Sequence, residues 1–369
     1  MTDSPGGMNG KYAMLGVMSG SSLDGLDLVY CLLYQSRQGW TYDIIHAFTR
    51  TYPQSLHNSL ASMATLTAEE LLDLDIRLGR FIGQAIREFL HEKEIAGVDY
   101  IASHGHTAFH NPTRGYSLQI GHGAAIAAAV NVPVICDFRS LDVALGGQGA
   151  PLVPIGDELL FSEYDYCLNL GGYSNISWRH QGKRLAMDVC AVNKAINLLA
   201  RETGEQMDRN GEIARQGRVH EPLLKKLNAL EYYRKSPPKS LADAWFNHEF
   251  METVCSSEPL SLNDRMRTIY EHIAIQIARS TPRLSDGTIL VTGGGAHNHF
   301  LMECIARNNE NQMILPDAQL IDYKEALVFA LMGALRYNGQ VNCLSSATGA
   351  KEDSCGGVIY PIKRPSQFF

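Results

Sequence analysis

Three glycine-bearing turns hold many of the residues whose types and spacing could do chemistry. The first is Gly16-Val-Met-Ser-Gly-Ser-Ser-Leu-Asp-Gly-Leu-Asp27. Backbone N–H groups in a small-residue turn converge on phosphate oxygens, and glycine lets the chain approach them closely. Ser21 and Ser22 add hydroxyl donors, while Asp24 and Asp27 offer carboxylates for a hydrated Mg²⁺ beside a phosphate. A polar hairpin turn is the plain alternative. The run has neither the Gly-Lys-Ser/Thr of a Walker A loop nor the spacing of a dinucleotide fingerprint. It also lacks a Gly-x-Ser-x-Gly elbow, which argues against a hydrolase nucleophile at Ser19–Ser22. The second turn is Asn169-Leu-Gly-Gly-Tyr-Ser-Asn-Ile-Ser177, with Gly171 and Gly172 at its centre. The third is Ile289-Leu-Val-Thr-Gly-Gly-Gly-Ala-His-Asn298, an apolar strand running into Gly293, Gly294 and Gly295 before a helix. Such a helix start accepts an anion or the sugar–phosphate edge of a nucleotide.

Asp188 follows a short strand, Leu185–Met187, and precedes a helical stretch. A helix N-terminus favours the ionised carboxylate, the form a general base needs. A plain helix cap fits the same position.

The elements that must position these residues fall into two sets. Tyr12–Val17, Leu28–Tyr34 and Trp40–His46 read as strands. Thr67 and Glu70 form a capping box ahead of Leu71, Leu74, Leu78, Ile82, Ala85, Ile86 and Phe89 at helical spacing. A strand at Tyr100–Ser103, an alanine-rich helix near Ala124–Val130 and a strand at Val132–Cys136 follow. The second set has strands at Asp165–Leu170, Ser174–Trp178, Leu185–Met187 and Thr288–Thr292, with helices to about Glu202, over Arg265–Ala278 and over Lys324–Arg336. Each half opens with a strand, a Gly/Ser turn and another strand, which suggests a duplication with its boundary near Pro154–Phe161. A length of 369 residues suits two domains, here 1–158 and 159–369.

Composition narrows the function. Acidic residues outnumber basic ones 39 to 32, a charge of −7, which argues against a surface built for nucleic acid or anionic lipid. The longest uncharged apolar run, Ala124–Cys136, falls short of the roughly 20 residues of a membrane span. Met1–Lys11 lacks the apolar core of a signal peptide. Eight cysteines without a CxxC pair argue against a disulfide scaffold. The expectation is a cytoplasmic enzyme that binds neither nucleic acid nor membrane.

The ordered turns resemble the actin-like ATPase and sugar-kinase superfamily, and within it the anhydro-N-acetylmuramic acid kinase family. Gly16–Asp27, Ser103-His-Gly-His-Thr107, Leu118-Gln-Ile-Gly121, Asp137-Phe-Arg139, Gly146-Gly-Gln-Gly-Ala-Pro-Leu-Val-Pro154, Asn169–Asn175, Gly293–Asn298 and Ser346-Ala-Thr-Gly-Ala350 carry the likeness. It implies an α/β fold of two duplicated actin-like (ribonuclease H-like) domains around an interdomain ATP cleft. It further implies ATP and Mg²⁺ acting with water on a 1,6-anhydro amino sugar in cell-wall recycling, by a homodimer. Water would attack the anomeric carbon, the bridge would open, and the freed oxygen on carbon 6 would take the γ-phosphoryl group. The product would be N-acetylmuramic acid 6-phosphate. Asp188 falls on the family's base. Gly20, Ser21, Ser22, Leu23, Asp24, Gly25, Leu26, Asp27, Gly171, Gly172, Gly293, Gly294 and Gly295 fall on its ATP site, with Asp24 toward Mg²⁺, directly or through water. His104, Arg139, Asn193 and Glu325 fall on the sugar side.

Arg139 suits the muramyl carboxylate because a guanidinium grips it bidentately; a salt bridge to Asp137 or Asp142 is the structural alternative. Glu325 would polarise the sugar or orient the water, or else stand as a solvated helix residue. His104, His106 and His110 have HxHxxxH spacing, but no cysteine or carboxylate nearby completes a zinc set; substrate-facing roles suit them better. Two stretches depart from the family. Asp188-Val-Cys-Ala-Val-Asn193 stands where Asp-Thr-Gly-Pro-Gly-Asn is usual, so Cys190 and Val192 are expected to crowd a ligand. After Lys239-Ser240 the usual Gly and Glu are replaced within Leu241-Ala-Asp-Ala244. These departures leave two other readings: an ATP-binding sensor of the same fold with impaired catalysis, or a kinase for a different sugar.

Overall fold

A computed structural model describes residues 10–20, 23–237, 239–255 and 259–362. Ser21 and Ser22 of the first turn lie outside the described residues. The chain forms two compact units, one ending at Leu160 and resumed from Tyr323, the other Phe161–Asp322. The division is therefore not linear: a boundary does fall at residue 160, but the stretch from Tyr323 folds with the first unit instead of continuing the second.

The first unit is built on β1 (Gly10–Ser19), β2 (Leu26–Ser36), β3 (Gly39–Arg50), β4 (Tyr100–Asn111), β5 (Tyr116–Ile120) and β6 (Val134–Cys136). β1, β2 and β3 form an antiparallel meander, β4 runs parallel to β1, and β6 runs parallel to β4. The strand Val358–Tyr360 closes this edge against β6, and β5 folds back on β4. The capping box forms as expected: the Glu70 N–H reaches Thr67 Oγ1, and the Glu70 carboxylate accepts the Thr67 N–H at 2.8 Å. It starts the helix Ala68–Glu92, whose Leu74, Leu78, Ile82, Ile86 and Phe89 share a core with Leu15 and Val17 of β1. The part of the helix Ala318–Tyr337 that belongs to this unit, from Tyr323 on, crosses Gly16 so closely that a Cβ there would sit 1.9 Å from the Ala326 carbonyl oxygen. Glycine at the mouth of the first turn is thus also a packing requirement.

The second unit repeats the plan. β7 (Tyr166–Leu170), β8 (Tyr173–His180) and β9 (Lys183–Ala191) form the meander. β10 (Thr288–Thr292) runs parallel to β7, and β11 (Gln312–Ile314) runs parallel to β10. The order β11-β10-β7-β8-β9 matches β6-β4-β1-β2-β3 of the first unit strand for strand. This is the duplicated actin-like α/β architecture. Its core gathers Leu168, Leu170, Cys190, Val192, Ile273 and Val291.

Two elements differ from the sequence reading near the candidate residues. β4 continues past Ser103 to Asn111 because β5 pairs with it, a partner the turn-rich stretch 112–121 did not announce. β9 does not end before Asp188; it continues to Ala191 and carries Asp188 within it.

Candidate functional site

In the second unit the helix Asn193–Ala200 starts five residues after Asp188 and is capped by Val192, so Asp188 is neither an N-cap nor at a helix N-terminus. Asp188 instead sits at an irregularity in the β8–β9 ladder, where the pairing steps from Ser174↔Cys190 to Asn175↔Asp188. An extra residue in one strand re-aims the side chains around it. The Asp188 N–H donates to the Lys239 carbonyl at 3.0 Å, and the Leu241 N–H donates to Asp188 Oδ2 at 2.8 Å. The Tyr232 hydroxyl donates to the Asp188 carbonyl at 2.7 Å. Burial pushes the carboxyl up to about 6 despite the Leu241 bond, which pulls it down. The electrostatic setting is thus opposite to the dipole-stabilised one expected: desolvation makes this carboxylate a stronger base.

Cys190 and Val192 do not crowd a ligand. Both are fully buried in the core of the second unit, and Cys190 Sγ lies 3.3 Å from Ser174 Oγ. Burial drives the Cys190 thiol up to about 12, leaving it inert at neutral pH.

Asn193 brings the other glycines of this unit together. Its Nδ2 donates to the Leu170 carbonyl at 3.1 Å, and its backbone N–H donates to the Gly171 carbonyl at 3.2 Å. The N–H groups of Val192 and Lys194 both reach the Gly172 carbonyl. A Cβ on Gly295 would stand 3.3 Å from Asn193 Oδ1. Gly293 has φ +83, and a Cβ there would meet Asn169 Oδ1 at 2.5 Å. The second and third turns therefore form one small-residue surface with Asn193 as its tie. The position assigned to the sugar also ties these turns together.

In the first unit the described part of the first turn opens with the Leu23 N–H on the Gly20 carbonyl at 3.2 Å, and Leu23 takes φ 61. Leu26 is buried at the start of β2. Gly25 has no room for a side chain against Thr49 and Arg50. Thr49 Oγ1 donates to Asp27 Oδ1 at 2.6 Å. Asp24, by contrast, is exposed and makes no hydrogen bond or ion pair among the described residues.

The three histidines go to separate partners. His110 pairs with Ser117 at 3.0 Å. Gly105, at φ +72, breaks the alternation between His104 and His106. His106 Nδ1 lies 2.7 Å from Ser19 Oγ, which in turn accepts the Tyr52 hydroxyl at 2.6 Å. Burial holds the His106 imidazole neutral, down to about 4. His104 Nδ1 faces the Gly105 carbonyl at 2.9 Å, which makes Nε2 the acceptor. Arg139 donates to that Nε2 from Nε at 3.0 Å and from a terminal nitrogen at 2.8 Å, and to the Gly149 carbonyl at 2.6 Å.

Arg139 thus makes neither of the ion pairs considered from sequence. Asp137 accepts from Ser140, and buried Asp142 accepts from Gly149 N–H and Thr348. Burial lowers the Arg139 guanidinium to about 10, with the charge of Glu325 acting against it. Glu325 is half-buried, not solvated; burial raises its carboxyl, opposed by Arg139 and by Lys324. Its neighbour Lys324 is committed to Asp157 at 2.6 Å, both nearly fully buried. Arg139 and His104 are therefore joined by hydrogen bonds, and the Glu325 charge acts on the guanidinium. Tyr52, Thr49, Leu241 and Asp243 were missed from sequence: a lone tyrosine, threonine or leucine signals no role, and their parts arise from contacts across elements.

Residues 12–362 match the family model described as anhydro-N-acetylmuramic acid kinase. The chain is 33% identical over 375 residues to a protein of that name from Vibrio vulnificus (strain YJ016), covering 96% of this chain and all of the other. It is 32% identical over 368 residues to one from Sulfurovum sp. (strain NBC37-1), covering 95% and 99%. A third, from Pseudomonas syringae pv. syringae (strain B728a), is 32% identical over 369 residues, covering 94% and 98%.

Proposed function

Because the chain belongs to the anhydro-N-acetylmuramic acid kinase family, we propose that it phosphorylates 1,6-anhydro-N-acetylmuramic acid with ATP while water opens the anhydro bridge. The observation that carries this reading at the residue level is Asp188, a desolvated carboxylate near 6 held by Leu241 on a strand irregularity. A base titrating near neutrality is what water activation asks of a carboxylate. Asp188 takes a proton from water as the water oxygen bonds to the anomeric carbon. The bond from that carbon to the bridging oxygen breaks, and this oxygen, left on carbon 6, accepts the γ-phosphoryl group. ADP leaves, and the sugar carries a new hydroxyl at carbon 1 and a phosphate at carbon 6.

Phosphoryl transfer needs positioning and charge neutralisation more than covalent chemistry. Gly20–Asp27, Gly171–Gly172 and Gly293–Gly295 are the groups proposed to receive ATP, supported by the small-residue surface that Asn193 ties together from the second and third turns. Asp24 fits a hard cation: its exposed carboxylate has no competing partner among the described residues, and Mg²⁺ takes one or two carboxylates beside phosphate oxygens. Mg²⁺ held there supplies neutralisation of phosphate charge. His104, Arg139 and Glu325 are assigned to the sugar, the guanidinium toward its lactyl carboxylate. Asn193 acts on this reading by fixing the turns. With the family resemblance the reading carries a cytoplasmic homodimer at work in cell-wall recycling.

The test is turnover of the anhydro sugar with Mg-ATP in ¹⁸O-labelled water. The expected product is a sugar phosphate with label in the anomeric hydroxyl. Unlabelled product, or phosphorylation of hexoses lacking an anhydro bridge in preference to this substrate, overturns the reading.

A further inference from the structure

The segment after Lys239 is tied down at both ends. At one end its backbone flanks Asp188, through the Lys239 carbonyl and the Leu241 N–H. At the other, Asp243 accepts from Lys194 Nζ and, at 3.0 Å, from the Tyr173 hydroxyl. Lys194 is the second residue of the helix that starts at Asn193, and Tyr173 follows Gly171-Gly172 directly. The Lys194 ammonium also stands about equally over two rings, 5.1 Å from Tyr173 and 5.0 Å from Phe246. The stretches that depart from the family pattern, 188–193 and 241–244, are thus bridged by an ion pair whose members lie within or next to them.

We propose that Lys194 and Asp243 are positioning residues: their pair clips the 239–243 segment to the Gly171–Tyr173 turn, which keeps the Leu241 N–H on Asp188 and the carboxylate in its working orientation. The assignment rests on the reading of Asp188 as the base. Asp243 is largely exposed at 74%, and exposed ion pairs add little stability. The pair is therefore poorly suited to holding the fold and better suited to holding one segment.

Charge and geometry make opposite demands on one variant, Asp243→Asn. Tyr173 on β8 and Tyr232 of the Glu231–Arg234 turn feel the Asp188 charge, Lys239 accepts its backbone N–H, and the Asp243–Lys194 pair is joined to this group through the Tyr173 hydroxyl. Removing the Asp243 charge lowers the Asp188 pKa by Coulomb's law alone, and more so with Lys194 left unpaired. Losing the Leu241 hydrogen bond raises it.

The experiment titrates the full-length protein carrying ¹³C-carboxyl aspartate, with the Asp188 signal assigned by its loss in Asp188→Asn. In Asp243→Asn the Asp188 pKa rises by roughly half a unit or more, and the acidic limb of kcat follows it. kcat falls on the order of 10- to 100-fold with the KM for Mg-ATP nearly unchanged, because a small misplacement of a reacting group is costly. Lys194→Met shows the same loss, and Lys194→Arg restores most of it. A pKa that stays or falls in folded Asp243→Asn overturns the proposal, as does Lys194→Arg losing as much kcat as Lys194→Met. If the wild type makes no sugar phosphate while the titration moves as stated, the kinase reading fails and the positioning role stands.

Discussion

The backbone N–H of Leu241 donates to Oδ2 of Asp188 at 2.8 Å, from a stretch that lacks the glycine and glutamate usual in the family. A main-chain donor does not depend on which side chain it carries, so this contact does not need the glycine or the glutamate. It lowers the carboxyl pKa, but burial wins and leaves Asp188 at about 6.

The first prediction is a pH profile. Only ionised Asp188 accepts a proton, so kcat should rise from acid, level off above pH 6, and fall tenfold per unit well below it. The acidic limb measured in saturating substrate checks this. A limb centred near 4, where an ordinary aspartate titrates, would show that desolvation does not govern the site.

Asp188→Asn should abolish sugar phosphate while leaving nucleotide affinity nearly intact. It should also stabilise the protein at neutral pH, and the sign follows from linkage. A carboxyl whose folded pKa is raised binds its proton more tightly folded than unfolded, so its stabilising contribution is present below about 3.8 and is lost as pH rises through about 6. At pH 8 the wild type holds a desolvated charge that the amide does not have. The Tm gain of the variant should therefore be larger at pH 8 than at pH 4.5, as scanning calorimetry at the two values would read.

How far the sequence revealed this site depended on the kind of signal. Glycine turns and the capping box are local, and Gly20, Gly171 and Gly293–Gly295 stand where turns were read. Position alone left Asp188 open between a base and a plain helix cap, the resemblance chose the base, and its electrostatic setting was read from a helix end that lies five residues farther on. A strand carrying a ladder irregularity looks, in sequence, like a strand that has ended. Cys190 and Val192 were read as obstructions because direction is invisible along a chain: both point into the core. Asp243 gave no signal, since its meaning depends on Lys194, 49 residues away.

Gly293 and Gly294 separate backbone need from ligand need. At Gly293 φ is +83, and a Cβ would lie 2.5 Å from Asn169 Oδ1 and 2.9 Å from the Leu170 backbone. Gly293→Ala should destabilise the second unit by on the order of 1–3 kcal/mol, lowering both Tm and nucleotide affinity. At Gly294 the nearest atom is Asn193 Nδ2 at 3.8 Å. Gly294→Ala should keep its Tm, so any loss of nucleotide affinity there reports the ligand itself.

Arg139→Lys tests the group assigned to the sugar. The guanidinium serves His104 Nε2 with two nitrogens and the Gly149 carbonyl with a third. An ammonium is a point charge and cannot span these acceptors in a fixed fork. The KM for the anhydro sugar should rise about tenfold or more, one lost charge-assisted hydrogen bond being worth roughly 1.5–3 kcal/mol. The KM for Mg-ATP should stay put. Equal rises in both constants would mean that Arg139 supports the unit generally rather than the sugar.

Restoring the glycines of the family pattern should harm this chain. Val192 and Cys190 have no exposed surface and belong to the core that also holds Leu170 and Ile196. Val192→Gly forfeits roughly 1.5–3 kcal/mol of side-chain burial and adds the backbone entropy cost of glycine, about 0.5–1 kcal/mol. It also loosens the turn where the Val192 N–H holds the Gly172 carbonyl at 2.9 Å. Cys190→Gly removes the sulfur beside Ser174 Oγ and opens a small void at the β8–β9 irregularity. Both variants should lower Tm without improving KM for either substrate. A gain in sugar affinity from either one would mean that the buried side chains do obstruct the site after all.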